Sequence, residues 1–443
     1  MTSTESRYDA YRKPASHSEQ LHHRATKVLP GGNTRTTVHL DPYPAYAVRG
    51  QGAKIVDAEG QERLDFLNNY TSLMHGHANK HINAAVIEQL EDGTAFAMPT
   101  EHEIKLAELL AERIPSVEHV RFTNSGTEAV MTAIHAARAY TGRPMIAKFE
   151  GSYHGSYDFA AVSTAAPREV WDAEDPPSIG YAAGTPSGVT DFVKVLRYND
   201  LEMLERKLTR HRHEIAAVLI DPMPWRMGLI PIHPTFVRRL REMTERFGIV
   251  LIFDEVISLR ASHHGAQGLI DVTPDLTTMA KIIGGGFPVG AVGGKAEIMA
   301  VFDPRGGKPK VPHGGTFSAN PITMVAGYTS MSMLTEEESA RMDALGAYIR
   351  EGIAEALDGA RIPGQVTGAG SLFGIHLHDR PLTDYRSWEG SSEQGRRRTA
   401  LFEALVDRGV VLAPALTGCL STPMTEDDAN TLIDAMSVAL RDL

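Results

Sequence analysis

Between residues 117 and 300 the chain repeats one unit, an apolar-rich run followed by a stretch of helical length. The runs are Val117–Thr123, Met145–Phe149, Ile215–Ile220, Ile249–Val256 and Leu276–Ala280, and residues 127–141 and 234–247 carry helical periodicity. Two runs, Val-Leu-Ile-Asp-Pro and Ile-Val-Leu-Ile-Phe-Asp-Glu, show no polar alternation and end in acids. A strand with one wet face alternates; a strand that is apolar throughout must be covered on both faces. The pattern therefore asks for a largely parallel α/β sheet between two layers of helices. It also puts functional side chains at the carboxyl ends of the strands.

The flanks read differently. Residues 1–18 are polar and read as a loose tip, and 19–29 as a short helix ended by Pro30-Gly31-Gly32. Residues 46–66 read as a small meander with glycine turns, and 80–92 and 101–113 as amphipathic helices. Residues 163–190, rich in Pro, Ala, Ser and Gly, read as a long loop over the site. After Pro321 a long helical stretch runs to about 358. Strands at Gln365–Leu377 and Val410–Ala413 and a helix at Thr425–Leu443 then make a smaller α+β domain, with which the meander packs. A chain of 443 residues suffices for two or three domains. Its net charge of −11 argues against a general nucleic-acid binder. No run of 18 apolar residues suggests a membrane span, and the first residues lack the apolar core of a signal peptide. The one cysteine, Cys419, allows no intrachain disulfide, which fits a reducing cytoplasm.

Lys281 stands in unusual company. Ala280 precedes it, Ile282 and Ile283 follow, and then the glycines Gly284 to Gly286. An amine in a dry pocket loses proton affinity and becomes a nucleophile or base, and lysine forms Schiff bases with carbonyls. The glycines would let a ligand or backbone come close. Upstream, Arg-Phe-Thr-Asn-Ser-Gly-Thr-Glu-Ala (121–129) runs from a strand into a helix. Ser125 and Glu128 have capping-box spacing, and Gly126 and Thr127 offer free backbone N–H groups to a phosphate; a plain capped helix fits the same residues. Asp254 ends a buried strand, where it can face a cationic ring nitrogen, a metal or a structural partner. His263-His264 are the nearest metal candidates but lack a metal-ligating spacing. Tyr153, in Gly-Ser-Tyr-His-Gly (151–155), can stack on a flat ring or pack on the surface. Thr316 lies among small residues in His-Gly-Gly-Thr-Phe-Ser-Ala-Asn-Pro (313–321), suited to a phosphate or to a turn before a helix. The glycines of 284–294 lack the order of a dinucleotide loop.

Taken in order, Asn-Ser-Gly-Thr-Glu-Ala, Tyr-His-Gly, Asp-Glu-Val, the Lys281 glycine stretch and Gly-Gly-Thr-Phe-Ser-Ala-Asn-Pro resemble the fold-type I, class III aminotransferases, enzymes of pyridoxal 5'-phosphate. The likeness runs from about residue 20 to the C-terminus. The sequence resembles the glutamate-1-semialdehyde aminomutase branch, and more closely its neighbours acting on β-amino acids and on D-phenylglycine. It implies an α/β fold: a large domain with a mostly parallel seven-stranded sheet and a small α+β domain drawn from both termini. Residues 1–79 would join the small domain, 80–334 form the large cofactor domain, and 335–443 complete the small one. The resemblance implies that Lys281 carries the cofactor as a Schiff base, with Asp254 on its ring nitrogen and Val256 and Tyr153 on its two faces. His154 would lie beside the ring, and Ser125, Gly126 and Thr127 would hold the phosphate. Thr316 would reach the cofactor of the partner in a homodimer. A small amino donor and a keto-acid acceptor are implied; metal, nucleic acid and membrane are not.

Three departures bear on substrate. Arg35, in Gly31-Gly-Asn-Thr-Arg-Thr-Thr37, resembles the arginine that binds substrate carboxylate in β-amino-acid aminotransferases, but their second arginine is Ala415 here. Arg226 or Arg260 would have to substitute. The aminomutases carry a glutamate shortly after Leu-Ala-Pro, whereas Leu412–Ser421 has no acid. Asp221 stands where relatives often carry glutamate before proline. The expected activity is amino transfer from a β-amino or aryl amino acid. The aminomutase shift is the alternative, and a non-catalytic cofactor binder the third reading.

Overall fold

The computed structural model describes residues 7–443, and the polar tip read at 1–6 lies outside the described residues. A central sheet has the strand order His119–Thr123, Gly290–Gly294, Leu276–Ala280, Val250–Asp254, Ile215–Ile220, Met145–Phe149, Val193–Leu196. Neighbours are parallel except around Gly290–Gly294, which is antiparallel to both of its own. Successive side chains of a strand point to opposite faces, and this sorts the apolar runs into two cores. Ala217, Leu219, Val250 and Ile252 enter one, with the apolar side of helix Gly126–Thr141. Val218, Ile220, Leu251 and Phe253 enter the other, with helices Leu201–Arg210 and Pro234–Phe247. Both faces are covered, so neither needs polar positions. In the second core Phe149 meets Tyr198 and Phe236 edge-on at 5.7 and 5.9 Å. Burying a side chain of this size stabilises by about 1.5–3 kcal/mol.

The strand Gly290–Gly294 is not evident in the sequence, because Gly-Ala-Val-Gly-Gly has little intrinsic preference for a strand. Its glycines answer to packing. A Cβ on Gly290 would lie 2.0 Å from the Ser125 carbonyl oxygen, and one on Gly294 2.4 Å from that of Asp275. In the run after Lys281, expected to let a ligand or backbone come close, Gly286 lines the cavity described below and Gly285 meets backbone. A Cβ on Gly285 would sit 2.3 Å from the Ala326 carbonyl oxygen, so this glycine admits helix Pro321–Met333, not a ligand.

The long helix expected after Pro321 is two. It breaks at Leu334, and Thr335 caps a second helix, Glu336–Gly359, its Oγ1 accepting from Glu338 N at 3.1 Å. Residues 163–190 are mostly irregular, with a short 3-10 turn at Arg168–Val170 and a one-turn helix at Ser187–Asp191. The loose tip ends earlier than expected: Arg7–Arg12 form a 3-10 turn whose Tyr11 is buried under the Arg63 guanidinium.

The meander strands Ala47–Gln51, Lys54–Asp57 and Glu62–Asp65 take Val410–Val411 as a fourth, parallel strand, so both ends of the chain share a sheet. Gln365–Thr367, Leu372–His376 and Thr417–Cys419 form a third, antiparallel sheet. No helix among the described residues is long and apolar enough to cross a membrane.

Candidate active site

The parallel strands end on one side of the sheet, and the residues just beyond them meet in a cavity of about 390 Å³. Its wall holds Ser125, Gly126, Thr127, Tyr153, His154, Asp254, Val256 and Lys281, eight positions that the sequence singled out. It also holds Asp221, Asn69 and Ser72, which the sequence motifs do not mark as site residues.

The start of helix Gly126–Thr141 is organised from Asn124. Ser125 Oγ accepts from Glu128 N at 3.2 Å. The return arm of the expected capping box is displaced by one residue: Glu128 Oε2 accepts from Asn124 N at 2.7 Å, not from Ser125. The first N–H groups of a helix have no intrahelical acceptor, and here Gly126 and Thr127 hold them against the cavity. Two close approaches shape this cradle. A Cβ on Gly126 would lie 3.1 Å from both Val256 methyls, and one on Gly155, whose φ is +85°, 2.4 Å from Thr127 Oγ1. A helix N-terminus so enclosed fits an anion such as phosphate.

Asp254 is buried at the end of its strand and is held on both oxygens. Oδ1 accepts from Thr278 Oγ1 at 3.0 Å and Val256 N at 3.1 Å; Oδ2 accepts from His154 Nδ1 at 2.7 Å. Burial lowers the His154 pKa, against the raising effect of Asp254. The neutral ring therefore carries its proton on Nδ1, leaving Nε2 an acceptor, buried and unpartnered. Asp221 turns Oδ1 to Met223 N at 2.9 Å. Burial first, and the Asp254 charge next, push its carboxyl well above the usual range. The sequence did offer a signal for Asp221, an acid closing a continuously apolar strand.

Lys281 follows Ala280 at the end of the next strand, with φ +53°, a left-handed value uncommon for a side-chain-bearing residue and costly to hold. The surrounding protein pulls its pKa down to about 8, while Asp254, Asp221 and Cys419 act in the opposite sense. A fraction of the amine is thus unprotonated near neutrality, as a nucleophile or base requires.

The remaining candidates separate. Arg35 is exposed at the rim, its Nη1 donating at 2.9 Å to Oδ1 of the cavity-lining Asn69 and its guanidinium 5.8 Å from the Tyr70 ring. Asn69 and Tyr70 both have positive φ, an irregularity that no sequence period announces. Arg226 is outside the cavity wall, with Nε buried and unpartnered and its charge acting on Tyr153. Arg260 is not brought into the cavity wall. It is buried, its Nε donates to Ser371 Oγ at 2.9 Å and Nη1 to Thr71 O at 2.9 Å, and Nη2 donates to Leu420 O. These bonds tie the turn after strand Val250–Asp254 to the segments at Thr71, Ser371 and Leu420. Thr316 is exposed outside this cavity, in the wall of another of about 280 Å³ with Phe96, Met98 and Ser318.

A lysine, a buried carboxylate and a helix N-terminus that fits an anion line one cavity at the carboxyl ends of a parallel sheet, a set that fits a phosphorylated carbonyl cofactor. The family model for class-III aminotransferases matches residues 36–439. An omega-transaminase from Sphaerobacter thermophilus is 60% identical in sequence, with a TM-score of 0.96 over 98% of this chain and 99% of its own. A β-phenylalanine aminotransferase from Variovorax paradoxus is 35% identical, with a TM-score of 0.86 over 97% and 95%. Among curated proteins, a glutamate-1-semialdehyde 2,1-aminomutase of Methanosphaera stadtmanae is 37% identical over 96% of this chain and 98% of its own. The chain belongs to the class-III aminotransferases. It is a pyridoxal-phosphate enzyme of fold type I that acts on the amino groups of small molecules.

Proposed function

We propose that this enzyme is an intermolecular aminotransferase whose donor is a β-amino acid bearing an aryl group and whose acceptor is a keto acid. The observation that carries the donor's carboxylate is Arg35, while its β-amino and aryl character rests on the likeness to the neighbours named below. Arg35 is a guanidinium fixed at the rim by Asn69 and Tyr70, forming no ion pair with any described residue, and so placed to take a carboxylate. The omega-transaminase and β-phenylalanine aminotransferase neighbours support the same reading. Arg226 is the remaining candidate for the second carboxylate of a dicarboxylic acceptor.

Bound pyridoxal phosphate supplies an electron-withdrawing ring and a carbonyl carbon through which amines exchange. The chain's residues do the rest. Gly126 and Thr127 N–H groups, with Ser125, bind the phosphate. Asp254, oriented by His154 and Thr278, would keep a proton on the ring nitrogen. Val256 and Tyr153 would bear on the ring, with His154, whose Nε2 has no protein partner, beside it. Lys281 would anchor the cofactor, and its amine would hold or move a proton at the substrate carbon. Its lowered pKa suits it to that exchange. Residues 80–334 form the cofactor domain in this reading, and residues 1–79 and 335–443 the small one. The enzyme works as a cytoplasmic homodimer in which Thr316 reaches the partner's cofactor. Exposed Phe96, Met98 and Phe317 around Thr316 are the apolar surface that such a partner would cover.

The aminomutase alternative is favoured by the curated relatives' names. Against it, the acid-free segment 412–421 is folded tightly into the third sheet, with Leu412, Leu416, Cys419 and Leu420 buried. A spectral half-reaction screen of α-, β- and D-amino acids against the holoenzyme tests the proposal. Turnover of aryl β-amino acids that stops without a keto acid is the expected result. Amino migration within a diamino or semialdehyde substrate, with no keto acid added, would overturn it. Arg35→Ala is expected to raise KM for the amino acid with cofactor content unchanged.

A further inference from the structure

Lys148, in strand Met145–Phe149, has no accessible surface at all. Its Nζ donates to Val162 O at 2.6 Å, Ser152 O at 3.0 Å and Thr164 Oγ1 at 3.5 Å. It forms no ion pair among the described residues, and an ammonium buried without a carboxylate is costly. An apolar side chain would avoid that cost, so what the amine holds matters. Its acceptors come from two segments. Ser152 immediately precedes Tyr153 and His154, while Val162 and Thr164 open the long irregular segment that follows.

The same junction is stitched from both sides. Gly151 N donates to Ser163 O at 2.9 Å, Ser163 N to Ile179 O at 2.8 Å, and Ser163 Oγ to Pro177 O at 2.7 Å. Thr164 Oγ1 also donates to Ser152 O at 3.2 Å. Lys148 reaches both segments from the sheet beneath. The three N–H groups of an ammonium match its three acceptors. A neutral amine is accommodated too, with two N–H groups on the two carbonyls and the Thr164 hydroxyl turning its one proton from Ser152 O to the amine's lone pair. The site can thus hold a lysine in either protonation state, consistent with a pKa drawn down to about 7 by burial and then by Arg226.

We propose that Lys148 is a positioning residue, whose amine pins the peptide before Tyr153 and His154 to the segment 162–164 and so holds the cofactor-facing loop in one conformation. The link to the reaction rests on the roles given above to Tyr153 and His154; the pin itself does not. The test is Lys148→Met, with Thr164→Val as a second variant that removes only the hydroxyl. Amide hydrogen exchange is read on the apoprotein. The Gly151, Ser152 and Ser163 amides are expected to exchange at least about tenfold faster in Lys148→Met, the factor of one lost hydrogen bond to a charged group, while strand Val250–Asp254 keeps its protection. The His154 Nδ1 nitrogen resonance should move, and in the holoenzyme kcat should fall more than KM rises. Thr164→Val should show the same pattern more weakly, and it decides the matter if Lys148→Met does not fold. Unchanged exchange at these amides, or a uniform rise across the sheet, would overturn the pin. A loosened loop with unchanged turnover would overturn its part in the reaction.

Discussion

Replacing Asp254 by asparagine separates the structural and chemical work of one side chain. Thr278 Oγ1 and Val256 N both bind Oδ1, so an asparagine with its carbonyl there keeps both bonds. The change falls on Oδ2, which accepts from His154 Nδ1. An NH₂ group there forces His154 to move its proton to Nε2, which is buried and unpartnered in the protein without cofactor. One unsatisfied buried donor costs about 1–3 kcal/mol, so the apoprotein should stay folded with a modestly lower denaturation midpoint. The chemical loss is larger, because a buried anion is withdrawn from a cationic ring nitrogen. Breaking such a pair costs about 3–5 kcal/mol. At 1.36 kcal/mol per tenfold, the half-reaction should slow by about 2 × 10² to 5 × 10³. The assay is a single-turnover spectral change on mixing holoenzyme with an aryl β-amino acid, normalised to cofactor content after alkaline release. A variant within about tenfold of the parent, at equal content, would refute the assignment of Asp254.

The cradle, the buried arginine and the lysine offer three more tests. Gly126→Ala drives a methyl toward the Val256 methyls 3.1 Å away, and overpacking of about 1–3 kcal/mol should appear as weaker cofactor retention in dialysis; unchanged retention would mean the cradle is not tight. Arg260→Met leaves Thr71 O and Leu420 O without a donor and should cost about 2–4 kcal/mol in chemical denaturation, and a stable variant defective only in substrate binding would restore Arg260 to the site. For Lys281 the folded pKa of about 8 lies below the ordinary 10.5. Between those values the unfolded apoprotein binds the extra proton and the folded one does not, so stability should rise with pH across that window relative to Lys281→Met. A pH-independent difference between the two apoproteins would contradict the buried amine.

Which parts of the site could be read from sequence follows from how each is built. Asp254 and Asp221 sit where continuous apolar strands stop, and a strand buried on both faces leaves an unmistakable run of letters; Lys281 ends a strand that carries two threonines and is marked instead by its apolar and glycine neighbours. Ser125 carries a capping signal because it must close a helix as well as face a ligand. Local rules thus report residues whose functional place coincides with the end of a regular element. Where the two part, the signal fails. Asn69 reaches the cavity through successive left-handed residues, and strand Gly290–Gly294 is built from glycines because Ser125 and Asp275 press against it. Arg226 and Arg260 were indistinguishable as letters, two arginines after sheet strands. Only long-range contacts separate them, for Ser371 and Leu420 lie more than a hundred residues from the guanidinium they satisfy. Chemistry written at strand ends is therefore local information, whereas substrate choice depends on which charges the tertiary fold leaves unpaired. On that ground Arg35 and Arg226, not Arg260, are the positions where exchange between relatives should move donor and acceptor preference while Lys281 and Asp254 keep the reaction the same.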